Sequence, residues 1–175
     1  MSAPSHPPHV TLVLGGMRSG KSRHAERLVV ASGREAVYVA TAEALDDEMA
    51  ARIAEHRARR GAAWRTVEAP LDLVAVLRRE CADGRAVLVD CLTLWLTNLM
   101  VHDRSVGAET ARLIEALPGL PGMLVLVSNE VGQGIVPVDP MARAFVDHAG
   151  LLHQGIAELA DAVVLMTAGL PHRLK

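Results

Sequence analysis

Short runs of apolar, often β-branched residues alternate along this chain with stretches whose apolar positions recur at helical spacing. The runs His9–Leu14, Ala36–Ala40, Ala86–Asp90, Met123–Val127 and Ala162–Met166 predict buried strands, and Trp64–Glu68 predicts a further short one. From Lys21 to Val30 the pattern is helical, with Ala25, Leu28 and Val29 on one side and charged residues on the other. Further helical patterns lie near 46–60, 71–82, 92–101, 108–117 and 140–160, the first opened by Asp46, Asp47 and Glu48, where a helix dipole favours anions. Near-continuous apolar strands alternating with helices argue for a mostly parallel sheet covered on both faces. The expectation is one α/β domain over residues 10–175, preceded by a disordered, Pro-rich leader over residues 1–9.

Composition changes this picture little. At 175 residues and 50% hydrophobic, the chain has enough apolar material for one sizeable core. Its aromatic residues are Tyr38, Trp64, Trp95 and Phe145, so Ala, Val and Leu must fill that core. The formal net charge of -2 gives no general attraction for nucleic acid or an anionic membrane. The few aromatics likewise offer no platform for stacking bases. Cys81 and Cys91 show no Cys-x-x-Cys spacing, which argues for reduced thiols and a cytoplasmic location. The longest apolar stretch, Ala86–Val101, is interrupted by Asp90 and Asn98 and is too short to span a bilayer. The leader lacks the charged start and apolar centre of a secretion signal.

The chemistry begins where the first strand ends. Gly15-Gly16-Met17-Arg18-Ser19-Gly20-Lys21-Ser22 is a complete G-x-x-x-x-G-K-[ST] phosphate loop set between a strand and a helix. Its glycines let successive N–H groups converge on phosphate oxygens, Lys21 offers a compact cation, and Ser22 offers a hydroxyl to Mg²⁺. The ligand class is a nucleoside triphosphate, and the fold expected around it is the RecA-like type of phosphate-loop NTPase. Ligands in such sheets bind beyond the carboxyl ends of the strands, where Val87-Leu88-Val89-Asp90 places a carboxylate suited to Mg²⁺, directly or through water. The segment Ser128-Asn129-Glu130-Val131-Gly132-Gln133-Gly134 is a polar, Gly-rich stretch that either lines the site or only turns the chain. No Asn-Lys-x-Asp box of a regulatory GTPase is present.

A second segment concentrates charge. On a helix over 46–60, His56 shares a face with Arg52, Arg59 and Arg60. Guanidinium groups suit phosphate oxygens, and their charge disfavours the imidazolium, leaving a ring nitrogen able to attack phosphorus. A solvated helix face that happens to carry a histidine is the bland alternative, and spacing alone does not separate the two.

The residues Gly15 to Glu26, Tyr38-Val39-Ala40-Thr41-Ala42, Asp47-Glu48-Met49 through His56-Arg57, Asn129-Glu130-Val131-Gly132 through Pro137, and Ala168-Gly169-Leu170-Pro171 together resemble a known family. That family is the bifunctional adenosylcobinamide kinase / adenosylcobinamide-phosphate guanylyltransferase of cobalamin biosynthesis. The resemblance runs from about Val10 to Lys175. It implies a transferase that phosphorylates adenosylcobinamide with ATP or GTP. It then moves GMP from GTP onto the resulting phosphate, through a GMP-histidine intermediate at His56, with release of pyrophosphate. Carried over by motif, the nucleotide contacts are Gly15, Gly16, Met17, Arg18, Ser19, Gly20, Lys21 and Ser22 of the loop, then Ala40, Thr41 and Ala42. Arg57, Ala58, Arg59, Arg60, Glu68 and Asp90 complete them, with His56 and Lys21 in catalytic roles and Mg²⁺ at Ser22 and Asp90. The family usually has Arg-Pro near the end of the histidine helix, where this chain has Arg60-Gly61. The resemblance further implies a corrinoid substrate and a homotrimer. Two other readings of the residues are a simple phosphate-loop kinase or NTPase, and a nucleotide-sensing module, with His56 only a phosphate contact in either.

Overall fold

A computed structural model of the protein describes residues 9–43, 61 and 63–175. The helix expected at 46–60, and with it His56 and Arg57–Arg60, lies outside the described residues. Among the described residues, seven strands form one sheet: β1 (Val10–Gly15), β2 (Glu35–Ala40), β3 (Trp64–Glu68), β4 (Arg85–Asp90), β5 (Met123–Asn129), β6 (Ala162–Thr167) and β7 (Leu170–Arg173). Their spatial order is β3-β2-β4-β5-β1-β6-β7, and every pairing is parallel except β6 with β7.

The described helices are α1 (Lys21–Ala31), α2 (Leu73–Glu80), α3 (Leu92–Val101), α4 (Val106–Ala116) and α5 (Pro140–Leu159), with a 3₁₀ turn at Leu117–Gly119. Each falls within two residues of its expected bounds on either side. The long α5 starts sharply because Asp139 accepts the Ala142 N–H at 2.7 Å and Pro140 occupies the first turn, where a missing N–H costs nothing.

Alternation along the strands divides the core between the two faces of the sheet. Leu12, Leu14, Val37, Val39, Val87, Val89, Leu124 and Leu126 point into the larger cluster, which includes Leu73, Leu77, Trp95, Leu96, Leu113 and Ile156 from the helices. Val13, Tyr38, Leu88, Val125 and Val127 point the other way, against Ala25 and Val29 of α1. With Leu12, Val13, Leu124 and Val125 wholly buried, the centre of the sheet offers no room for a cavity-forming change. Truncating one such leucine to alanine costs about 2–5 kcal/mol. The consequence for function is stiffness: β1, paired on both sides, delivers Gly15 to the sheet edge at a fixed place.

One element was not anticipated. The closing Leu170–Arg173 folds back on β6 as an antiparallel edge strand through the two-residue turn Ala168-Gly169. Both turn residues have positive φ, 51° and 82°, as a type I′ hairpin requires. The four strand residues are all exposed, so no apolar pattern marked them. At the other end, the His9 carbonyl already accepts the Leu124 N–H at 2.7 Å, so pairing with β5 begins before β1 itself.

Candidate active site

The loop Gly15–Ser22 turns from β1 into α1 at the carboxyl edge of the sheet. Gly15 has no room for a side chain: a Cβ there would lie 2.5 Å from Ser19 Oγ and 2.8 Å from the Met166 carbonyl. Gly20 stands just before α1 with φ 93°, a left-handed conformation that L side chains resist. Among the described residues no side chain caps α1, and no acidic residue occupies its first turn. The N–H groups and positive dipole end of an eleven-residue helix are therefore presented to an external anion. Lys21 is buried at 8% exposure, and its Nζ donates to the Gly16 carbonyl at 3.1 Å, which curls the side chain over the loop.

Asp90 ends β4, separated from β1 by β5 alone. Among the described residues its buried Oδ2 has no hydrogen-bond partner, and the same holds for Ser19 Oγ within the loop. Buried acceptors without partners are costly in a finished fold and mark places where a ligand, ion or water completes the shell. An oxygen-liganding cation such as Mg²⁺ fits that donor set of one carboxylate and one helix-start hydroxyl, Ser22.

Behind these residues a chain of hydrogen bonds ties the strand ends together. Thr41 Oγ1 accepts the Cys91 N–H and donates to the Cys91 carbonyl, both at 2.8 Å. Asn98 Nδ2 donates to the carbonyls of Thr41 and Pro70 at 2.7 and 3.0 Å. Asn129 Nδ2 donates to Thr93 Oγ1 at 2.8 Å, and that hydroxyl lies 3.1 Å from Cys91 Sγ. The hydroxyl and carbonyl of Thr41 thus serve the fold. The Ala40 carbonyl is engaged as well, by the Ala69 N–H at 2.8 Å. Burial pushes the Cys91 thiol up, aided by Asp90, which leaves it an inert neighbour of the site.

The structure brings the loop, Ala40–Ala42 and Asp90 to one sheet edge. Glu68 ends at the same edge but on the outermost strand β3, four places from β1. Sequence reasoning assigned no role to Thr93, Asn98 or His153, whose Nε2 lies 2.7 Å from the Oγ of Ser128 in the polar segment read as lining the site or turning the chain. A polar residue inside a strongly apolar segment is the signal that marks the first two.

A model of the cobinamide kinase / cobinamide phosphate guanyltransferase family matches residues 11–174. The chain belongs to that family. Among similar proteins, a bifunctional adenosylcobalamin biosynthesis protein of Pseudomonas aeruginosa is 57% identical over 166 residues, covering 94% of this chain and 96% of the relative. One of Salmonella typhimurium is 41% identical over 179 residues, covering 94% and 98%. This kinase/guanyltransferase also shares its fold with solved structures of low identity. The P4 protein from bacteriophage phi6 in complex with ADP has a TM-score of 0.54 at 15% identity, covering 94% of this chain and 52% of that one. The RadB recombinase has a TM-score of 0.53 at 15% identity, covering 91% and 75%. The architecture is that of RecA-like phosphate-loop NTPases. The chain is a transferase of cobalamin biosynthesis with nucleotide substrates, and among its described residues no helix is long and apolar enough to cross a membrane.

Proposed function

We propose that one phosphate-loop site serves both reactions of the family, phosphorylation of adenosylcobinamide by ATP or GTP and transfer of GMP from GTP to the phosphate so formed. The observation that carries this reading is the start of α1, capped by no described side chain, with Lys21 folded over it and the Asp90 carboxylate oxygen without a described partner. In the kinase reaction the loop N–H groups and Lys21 steady the β- and γ-phosphates, so that positioning and charge stabilisation carry the rate. Ser22 and Asp90 would hold Mg²⁺, which when bound neutralises charge on the phosphate oxygens.

In the guanylyl reaction, a ring nitrogen of His56 attacks the α-phosphorus of GTP and pyrophosphate leaves with the bridging oxygen. The cobinamide phosphate oxygen then displaces the imidazole. Topology supports this role: the segment carrying His56 connects β2 to β3 and so departs from the carboxyl end of β2, the edge that bears the phosphate loop. Arg57 to Arg60 with Ala58 between them, Glu68, and the backbone of Ala40 to Ala42 form the remainder of the proposed nucleotide site. A nucleotide lying across the strand ends, phosphates at β1 and base toward β2 and β3, accounts for contacts so far apart in the sheet. The two cysteines are unpaired and buried, which supports the cytoplasm as the working compartment. The apolar residues Ile135, Val136, Val138 and Met141, 70–98% exposed, support assembly with further copies, a homotrimer in our reading.

GTP labelled at the α-phosphate tests the covalent step. Wild-type protein with Mg²⁺ will retain label that is acid-labile and alkali-stable, and His56→Ala will retain none. Label undiminished in His56→Ala sinks the histidine assignment. Absence of label from the wild type, with phosphorylation intact, leaves a simple phosphate-loop kinase.

A further inference from the structure

Of the two reactions, only the first begins with a neutral hydroxyl whose proton must leave as the new O–P bond forms. A phosphate acceptor is already anionic. A base is therefore needed for one step and superfluous for the other. We propose that Glu130 is that base.

Several described carboxylates stand at the carboxyl edge of the sheet, among them Asp72, which is paired with Arg104 at 3.5 Å. Asp90 has the metal role argued above. Asp139 caps α5. Glu43 is paired with His102 at 3.1 Å. Glu68 ends the outermost strand, four places from β1. Glu130 alone follows directly from the strand between the phosphate loop and Asp90: Asn129 is in register with Gly15, and the Glu130 N–H donates to the Gly15 carbonyl at 3.0 Å. Its backbone is thus fastened to the first residue of the loop that holds the triphosphate. Its Oε1 accepts the Gly132 N–H at 2.8 Å, which orients the carboxylate and leaves Oε2 as the proton acceptor. Glu130 is half-buried, open enough to meet a substrate and dry enough to act on it.

The step balances simply. The substrate O–H bond breaks as the oxygen bonds to the γ-phosphorus, and the bond from that phosphorus to the bridging oxygen breaks. The nucleoside diphosphate leaves with that electron pair. The proton passes to Glu130 Oε2 and from there to water.

This inference rests on the two-reaction reading, and the test separates them. Glu130→Gln keeps an oxygen for the Gly132 N–H, so the turn survives while the basic charge is lost. Phosphorylation of cobinamide and GMP transfer to cobinamide phosphate are measured separately in wild type, Glu130→Gln and Glu43→Gln. In Glu130→Gln the ratio of phosphorylation to GMP transfer will fall about 100-fold, the usual effect of losing a general base. The same ratio in Glu43→Gln will stay within about threefold of wild type. An unchanged ratio in Glu130→Gln, including a parallel loss of both activities, overturns the assignment and makes Glu130 a loop-shaping residue. Selective loss of phosphorylation in Glu43→Gln instead moves the base to the end of β2. Absence of phosphorylation in the wild type fails the two-reaction reading itself, and the inference with it.

Discussion

Glu80 shows how one buried charge is made tolerable. Its side chain is 5% exposed and meets three arginines: Arg65, which donates to Oε2, Arg79, whose Nε is 2.9 Å from Oε1, and Arg85, 3.7 Å from Oε2. The hydrogen bond from Arg65 is the main cause holding its carboxyl down at about 2, against a burial effect in the other direction. A carboxylate depressed in the folded state contributes stability above its unfolded value, and that stability is lost as pH falls. Unfolding free energy will decline as pH drops from the ordinary carboxylate range, 4.5, toward about 2, and Glu80→Gln will show a shallower decline over the same window. The magnitude is about 1–3 kcal/mol, reduced from the full shift because Arg65 and Arg79 are 43% and 62% exposed and screened by water. Urea titrations at several pH values will measure it. Nothing in the sequence pattern singles out Glu80, because its partners come from β3, β4 and α2. By contrast Gly15, Lys21 and Ser22 were legible at once, since the loop's function depends on local backbone shape.

Among the elements, the phosphate loop and the C-terminal hairpin depend on each other. The Gly169 N–H donates to the Ser19 carbonyl at 2.9 Å, and a Cβ on Gly20 would lie 3.3 Å from Gly169 Cα. Gly15 meets the same hairpin through the Met166 carbonyl. The loop therefore rests on a turn about 150 residues away in sequence, as the Ser19–Gly169 bond shows. Gly15→Ala will force the loop or β6 to shift, at a cost of about 1–3 kcal/mol, and will weaken nucleotide binding. Its urea midpoint will fall, and the increase that nucleotide gives the wild type will shrink. Unchanged stabilisation by nucleotide would show that the loop tolerates the crowding. The strands β1 to β6 and their helices were legible because their apolar period is strong, whereas β7 is exposed on every residue and carries no such period.

Over the whole molecule, exposed apolar side chains gather in one stretch of sequence. Ile135, Val136 and Val138 follow directly on Glu130 and Gly132 and stand 98%, 74% and 93% exposed, an arrangement water disfavours in a solitary chain. Light scattering on the purified protein will give a mass three times 18.7 kDa, and replacing Ile135 and Val138 by serine will lower it. A mass of 18.7 kDa for the unaltered protein would exclude the homotrimer. The chain's own sequence determined its fold class and its phosphate loop, because each is written in residues adjacent along the chain and obeys a local period or spacing. Tertiary structure decided which distant groups meet at the carboxyl edge of the sheet. It set Asp90 one strand from Gly15, fastened Glu130 to the loop, turned Thr41 toward Cys91, and braced Ser19 with Gly169. These meetings depend on strand order, and strand order is settled by packing between segments far apart, which no single stretch of sequence records.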